Sequence, residues 1–217
     1  MKKIIVVLML FWFTNVSAST VKQVTFEKCV DGDTAYFLVD GKSTKFRFLA
    51  LDTPESVHPT KGEEAYGKSA SEFTCELLQN AQQIVVEYDE GSDSTDKYDR
   101  DLAWIWVDDE LLQKTIIENG YGQVAYIYGD YKYTKNLCAV QKEAITQKQN
   151  VWSNEDYEEG YCKNVDVAGV STTITMDMEV EKESFDYITY IIVGGCLVIS
   201  LITGKKINAK KIKKMLK

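Results

Sequence analysis

Between residues 21 and 109 the chain carries five runs in which apolar residues alternate with polar ones or stand together between turn residues. Such runs are typical of β-strands, because successive side chains of a strand point to opposite faces. Asp40 and Gly41 separate the second run from the third, and this dipeptide predicts a tight hairpin. The five predicted strands are VKQVTFEKCV (21–30), TAYFLV (34–39), STKFRFLAL (43–51), QIVVEYD (83–89) and LAWIWVDD (102–109).

Three other segments place apolar residues three or four positions apart, which gives a helix one apolar face. Ala70, Phe73, Leu77 and Leu78 form that face in the first segment, and the second segment stops at Gly120, as helices often do at a glycine. The predicted helices cover residues 66–81, 110–120 and 133–152. Strands interleaved with helices predict one α+β domain, which we place at residues 19–162.

The first 18 residues have the layout of a secretory signal peptide. Two lysines precede the apolar run Ile4–Phe13, and small residues follow up to Ala18. We therefore expect residues 1–18 to be removed from an exported protein.

The C-terminal region predicts a single membrane-spanning helix. Residues 187–203 contain no charged side chain, and residues 204–217 contain seven lysines and no acidic residue. About 17 apolar residues is the lower limit for crossing a bilayer, and lysines are retained on the cytoplasmic side. We expect a single-pass cell-membrane protein with an extracellular domain and a cytoplasmic C-terminus. Residues 163–186 would be a tether, although their VSTTITMDMEV stretch could instead add a strand.

The predicted extracellular part is strongly acidic. It holds all 33 acidic residues and only 16 of the 25 basic ones, which gives a net charge of −17. This balance argues against broad electrostatic attraction to nucleic acid, so an anionic substrate would have to be bound by local cations.

Four cysteines lie in the extracellular part, and Cys196 lies in the predicted span. An even number of cysteines in an oxidising compartment predicts two disulfides, for which three connectivities are possible. We favour Cys29 with Cys75 and Cys138 with Cys162, with free buried thiols as the alternative.

The chain has only two arginines, Arg47 and Arg100, and each stands near carboxylates. Each arginine could simply pair with a carboxylate, but a planar fork that binds phosphate oxygens in pairs is a reason to use arginine where lysine is otherwise preferred. Asp33 and Asp52 follow neighbouring strand segments, where two carboxylates could offer hard oxygen ligands to calcium or magnesium. A single histidine, His58, argues against a triad hydrolase, and the cysteine spacing argues against a zinc site.

Six motifs occur in an order that resembles the staphylococcal nuclease family over about residues 22–153. They are VDGDT, FRFLALDTPES, HPTKGEEAYG, DKYDRDLAWIW, GYGQVAYIY and NVWS. The resemblance implies an OB-fold, a five-stranded Greek-key β-barrel with three α-helices. It also implies an enzyme that cuts DNA and RNA to products ending in a 3′-phosphate, and we expect it to act as a monomer.

The resemblance implies a role for each matching residue. Calcium would be held by the carboxylates of Asp33 and Asp52 and by the carbonyl of Thr53, with Asp31 supporting the metal site from behind. The remaining residues would act on the substrate: Glu55 on the attacking water, Arg47 and Arg100 on the phosphate, and Lys97, Tyr98, Tyr126 and Tyr128 as the lining of the nucleotide pocket.

Two residues depart from the family pattern. Asp99 stands where the family usually has glycine, and Asp101 adds a carboxylate on the other side of Arg100. Both could compete with phosphate for that arginine. The alternative function is therefore a catalytically weak module of the same fold that binds nucleic acid or a protein partner.

Overall fold

The computed structural model describes residues 21–56, 64–155 and 157–176. The predicted signal peptide, membrane span and basic tail lie outside these residues, as does His58. Within the described ranges, no helix is both long and apolar enough to cross a bilayer.

The five predicted strands and three predicted helices are all present, and three short strand segments accompany them. The strands are β1 (Val21–Asp31), β2 (Thr34–Val39), β3 (Lys42–Phe48), β4 (Leu51–Asp52), β5 (Ile84–Glu87), β6 (Asp101–Val107), β7 (Glu110–Leu111) and β8 (Gln123–Val124). The helices are α1 (Gly67–Asn80), α2 (Leu112–Glu118) and α3 (Thr134–Thr146), followed by 3₁₀ turns at Asn150–Ser153 and Gly160–Asn164.

Strands β1, β2, β3, β5 and β6 form a barrel. The sheet order is β3-β2-β1-β5-β6-β7, and a parallel pairing of β3 with β6 closes it, with Arg47 opposite Leu102. The predicted hairpin is confirmed, because Asp40 and Gly41 both have positive φ, at 51° and 79°. The architecture is therefore the five-stranded barrel with three helices that the family resemblance implies.

The barrel interior is filled by apolar side chains that alternate along the strands. On β3, Phe46 and Phe48 are buried, so Lys45 and Arg47 lie on the opposite face. The other large, fully buried side chains include Phe37, Leu51, Leu78, Trp104, Ile105 and Trp106. The alternation on β3 thus places Arg47 on the outer face, beside the turn that follows β1.

Two predicted boundaries are wrong for a shared reason, which is a left-handed residue. The third strand ends at Phe48, and Ala50 (φ 59°) turns the chain before β4 begins. The third helix ends at Thr146 rather than at residue 152, and Lys148 (φ 52°) lies beyond its end. Apolar periodicity continues through both bends, so the pattern alone does not reveal them.

Both favoured disulfides are confirmed. Cys29–Cys75 joins β1 to α1, and Cys138–Cys162 joins α3 to the 3₁₀ turn at Gly160–Asn164. The chain after Cys162 packs on the domain as far as it is described. Ile174 is buried, and the amine of Lys142 donates a hydrogen bond of 2.7 Å to the carbonyl of Val165. Residues 163–176, predicted as the start of a tether, are therefore part of the domain surface, and no strand forms there.

Candidate active site

The turn between β1 and β2 brings Asp33 into the barrel wall. Its carboxylate is buried and accepts hydrogen bonds from the Thr34 hydroxyl at 2.8 Å and from Arg47 Nη1 at 2.9 Å. Gly32 is required here, since a Cβ on it would lie 2.6 Å from the Thr53 hydroxyl oxygen. Burial raises the pKa of Asp33, although the charge of Arg47 and the hydrogen bond from Thr34 act in the opposite direction.

Arg47 joins the two predicted metal-binding carboxylates. One guanidinium nitrogen lies 2.9 Å from Asp33 Oδ1, and the other lies 3.7 Å from Asp52 Oδ1 and donates to the carbonyl of Leu51 at 3.3 Å. In a straight strand, five residues would separate Arg47 from Asp52 by about 16 Å. The bend at Ala50 removes that separation, so the side chains meet.

Asp52 and Thr53 complete this cluster from the next segment. Burial and the nearby charge of Asp33 raise the pKa of Asp52, while Arg47 and hydrogen bonds from Gln123 and Tyr126 lower it. Thr53 is buried, and its hydroxyl oxygen has no hydrogen-bond partner among the described residues.

Glu55 lies at the exposed edge of the cluster, beside Asp31. Its pKa is raised to about 7, first by partial burial and then by a hydrogen bond with Asp31 and by the charges of Asp31, Asp33 and Glu64. Two hydrogen bonds fix its backbone, its N–H to the Glu64 carboxylate at 3.1 Å and its carbonyl from the Glu64 N–H at 3.0 Å. Asp31, which the family resemblance predicts to support the metal site, therefore contacts Glu55 itself.

Arg100 is held by a carboxylate of its own loop. Its Nε and Nη2 lie 2.7 Å and 2.6 Å from Asp96 Oδ2, and its guanidinium lies 5.3 Å from the ring centre of Tyr98. Strand β6 begins one residue later beside β3, which puts the two arginines at the same edge of the barrel. No hydrogen bond or ion pair connects Arg100 to the Arg47 cluster in the described parts of the chain.

The predicted nucleotide-pocket residues divide into two groups. Tyr126 joins the Arg47 cluster, since the Arg47 guanidinium lies 4.7 Å from its ring centre, and Lys97 lies 5.0 Å from the ring centre of Tyr98 near Arg100. Tyr128 is 85% exposed and uses only its backbone N–H, which donates to the Tyr131 hydroxyl. Tyr98 is also exposed, with Lys97 and Arg100 beside its ring, so both tyrosine rings are accessible from solvent.

Neither of the departures from the family pattern contacts Arg100. Asp99 takes a left-handed conformation (φ 59°), which an aspartate can adopt at modest cost. Asp101 accepts a hydrogen bond of 2.5 Å from the Tyr88 hydroxyl instead of pairing with the arginine. The carboxylate that holds Arg100 is therefore that of Asp96, and neither Asp99 nor Asp101 forms an ion pair with it in the described chain.

Sequence reasoning missed three residues that shape the site: Asp96, Tyr88 and Gln123. Asp96 could have been found, since it precedes Arg100 by four residues with opposite charge. Gln123 acts through strand pairing, on β8 opposite Asp52 on β4, and the Tyr88 hydroxyl donates to Asp101 from just beyond β5; no local pattern signals either contact.

Among the residues described, no three histidine, cysteine, aspartate or glutamate side chains form a group that could hold a metal ion. The available donors are nevertheless all hard oxygens: the Asp33 and Asp52 carboxylates with raised pKa values and the backbone carbonyl of Thr53, whose hydroxyl has no partner among the described residues. A calcium site can contain few carboxylates, because backbone carbonyls and water molecules can supply its other oxygen ligands. This donor set fits calcium once Arg47 releases its ion pairs with both carboxylates.

Comparison with known proteins agrees with the motifs. The family model for staphylococcal nuclease homologues matches residues 45–154. A thermonuclease of Staphylococcus hyicus is 34% identical over 144 residues, which are 65% of this chain and 83% of that protein. Endonuclease YncB of Bacillus subtilis (strain 168) is 36% identical over 135 residues, 62% of this chain and 63% of the relative. A thermonuclease of Staphylococcus intermedius is 35% identical over 126 residues, 58% of this chain and 73% of the relative.

Proposed function

The chain belongs to the staphylococcal nuclease family, and from this membership we propose that it is a calcium-dependent endonuclease that hydrolyses phosphodiester bonds of DNA and RNA. The observation that carries the proposal is the meeting of Arg47 with Asp33 and Asp52, with Glu55 at the open edge. A module that only binds nucleic acid has no need of this combination.

Asp33, Asp52 and the carbonyl of Thr53 would hold calcium, which when bound supplies positive charge to a phosphate oxygen. Arg47 would then place its fork on the same phosphate, because the two carboxylates that now hold it would be neutralised. Its position on the outer face of β3 leaves the guanidinium partly exposed, so a phosphate can reach it. Fixed donors of this kind stabilise the charge that develops during attack.

Glu55 would orient the attacking water and accept its proton. The water oxygen forms a bond to phosphorus, the bond from phosphorus to the 5′ oxygen breaks, and the departing oxygen takes up a proton. The products then carry a 3′-phosphate and a 5′-hydroxyl. Arg100 would stabilise the departing oxygen after exchanging Asp96 for the substrate phosphate.

Lys97, Tyr98, Tyr126 and Tyr128 would line the nucleotide pocket. The exposed rings of Tyr98, Tyr126 and Tyr128 can stack on bases of any sequence, which agrees with action on both DNA and RNA. We propose that the enzyme acts as a monomer.

We also propose that the enzyme works outside the cell, anchored by one helix at residues 187–203. The three-part N-terminus and the lysine-rich tail support this location. Two disulfides in the domain support it independently, since such bonds persist in oxidising compartments.

The test is cleavage of single-stranded DNA by the full-length protein, purified in a nonionic detergent, with calcium and with a chelator. We expect calcium-dependent cleavage to oligonucleotides with 3′-phosphate ends, and loss of that cleavage in Glu55→Gln. Glu76→Gln, which removes the same charge on the exposed side of α1, is the matched control.

A wild-type protein that binds DNA but leaves it uncut with every divalent ion would favour the binding module. Cleavage that yields 5′-phosphate ends would instead show a different bond being broken, and would contradict the roles of Glu55 and Arg100.

A further inference from the structure

A basic and aromatic group lies on the outer face of the barrel next to Arg47. Lys28 on β1, Tyr36 on β2 and Lys45 on β3 stand opposite one another in the strand register. The amine of Lys28 lies 4.5 Å from the ring centre of Tyr36, and the amine of Lys45 lies 5.8 Å from it. Two cations, one from each of the strands that flank β2, thus lie close to one aromatic ring.

This group continues the candidate active site. Tyr36 pairs with Lys45 in the same register that pairs Thr34 with Arg47, so Lys45 and Arg47 lie on one face of β3. Two residues of a strand span about 7 Å. Leu38 extends the same face of β2 and is 37% exposed, so an apolar surface adjoins the tyrosine.

The two lysines are also free to bind an anion. In the part of the chain that the structure describes, neither forms an ion pair with a carboxylate, whereas Lys68, Lys114 and Lys132 each do. The tyrosine ring keeps the amines together without neutralising them. Lys28 and Lys45 therefore place two positive charges beside Arg47 on a domain whose net charge is strongly negative.

We propose that Lys28, Tyr36 and Lys45 form an additional subsite that binds the substrate strand beyond the scissile phosphate. The lysine amines bind phosphates of the neighbouring nucleotides, and one base stacks on Tyr36. The ligand is a single-stranded nucleic acid, since an unpaired base is needed to reach the ring. This inference rests on the proposed function, because it takes the Arg47 cluster as the cleavage point.

The test measures binding of a trinucleotide and of a dodecamer of thymidylate, both labelled with a fluorophore. The full-length protein carries Glu55→Gln, so that both ligands stay intact in the presence of calcium. We expect the ratio of dodecamer to trinucleotide affinity to fall about tenfold in Tyr36→Leu. The Lys28→Gln/Lys45→Gln double variant should show a fall of the same size relative to the same starting protein. Lys135→Gln/Lys148→Gln removes the same charge from exposed positions on and after α3 and is the matched control.

A ratio that stays at its starting value in Tyr36→Leu and in the double lysine variant would overturn the subsite. An equal fall in the control would also overturn it, because the loss would then reflect net charge alone. A separate cleavage assay tests the proposed function. That function fails if the wild-type protein leaves the dodecamer uncut in the presence of calcium. A Glu55→Gln protein that binds neither ligand would reject the subsite regardless of cleavage.

Discussion

At the scale of single residues, Arg47 is the side chain that connects the candidate active site. It contacts Asp33, Asp52 and Tyr126, and its two terminal nitrogens reach different carboxylates. Lysine offers one charged nitrogen in place of a planar fork. We expect Arg47→Lys to lower kcat by about 100- to 1000-fold, the usual effect of losing one donor to a developing oxyanion.

The measurement is single-turnover cleavage with calcium, beside circular dichroism to show that the barrel still folds. Lys42→Arg, at the exposed start of β3, keeps the charge and is the matched control. Near-normal cleavage by Arg47→Lys would contradict the role of its fork on the phosphate.

Asp96 gives a prediction for the dependence of stability on pH. Burial alone would raise its pKa, but hydrogen bonds from the side chain and backbone of Arg100 and from the backbone of Tyr98 outweigh burial and lower it. The folded chain therefore favours the ionised carboxylate. That contribution is present above the unfolded pKa of about 3.9 and is lost as the pH falls through the folded value.

Asp96→Asn should lower the free energy of unfolding by about 0.5–1 kcal/mol near neutral pH, a value that allows for solvent screening of the pair. The difference from wild type should shrink below about pH 4. Urea denaturation at neutral and acid pH checks this, with the exposed Asp93→Asn as control. A difference that is the same at both pH values would show that charge is not the cause.

The residue types of the site could be predicted from the sequence, but several of their partners could not. Arg47, Asp33 and Asp52 come from motifs, and they do converge. The partner of Arg100 is an example, since Asp99 and Asp101 adjoin it in sequence while Asp96 reaches it across a loop. Side-chain direction within a loop depends on backbone angles such as φ at Asp99, which a motif does not specify.

At the scale of elements, the two disulfides have different tasks. Cys29–Cys75 joins β1 to α1 beside the Asp31–Asp33 turn, and the neighbouring Thr74 hydroxyl donates to the buried carbonyl of Gly32 at 2.8 Å. Cys138–Cys162 joins α3 to the second 3₁₀ turn, which packs beside Gln123 on β8 rather than beside the Asp31–Asp33 turn. Loop-closure entropy gives each bond a stabilising contribution of about 3–4 kcal/mol.

We therefore expect both double serine variants to unfold at lower urea concentration. Cleavage by the folded protein should fall most in Cys29→Ser/Cys75→Ser, because only that bond lies beside the turn that carries Asp33. Urea denaturation and cleavage assays on the same preparations test this. Equal loss of cleavage in Cys138→Ser/Cys162→Ser would show that the bonds act through stability alone.

The elements themselves follow from hydrophobic periodicity, and their ends do not. The strand that carries Arg47 is the clearest example, because Ala50 interrupts an apolar run that reads as continuous. No sequence signal marks the bend at Ala50, because alanine rarely takes a positive φ. Yet this bend is what brings Arg47 to Asp52, so the functional contact depends on the feature that the pattern hides.

At the scale of the whole molecule, an acidic domain must hold an anionic strand with few cations. Four side chains are proposed to contact phosphates: Arg47, Arg100, Lys28 and Lys45. For single strands the logarithm of affinity falls with the logarithm of salt concentration with a slope of about 0.7 per phosphate, so we expect a slope of about −3. Titration of Glu55→Gln with a thymidylate dodecamer across potassium chloride concentrations measures it, and a slope beyond about −6 would indicate a far larger basic surface.

The most direct test of the central claim is calorimetric titration of calcium into the full-length protein. Asp33, Asp52 and Thr53 should bind one calcium ion per chain, and Asp52→Asn should abolish this binding because it removes one of two carboxylates. The exposed Asp93→Asn should bind calcium as the wild type does. Calcium binding that survives Asp52→Asn unchanged, or that is absent from the wild type, would contradict the claim that this cluster is the centre of a calcium-dependent nuclease.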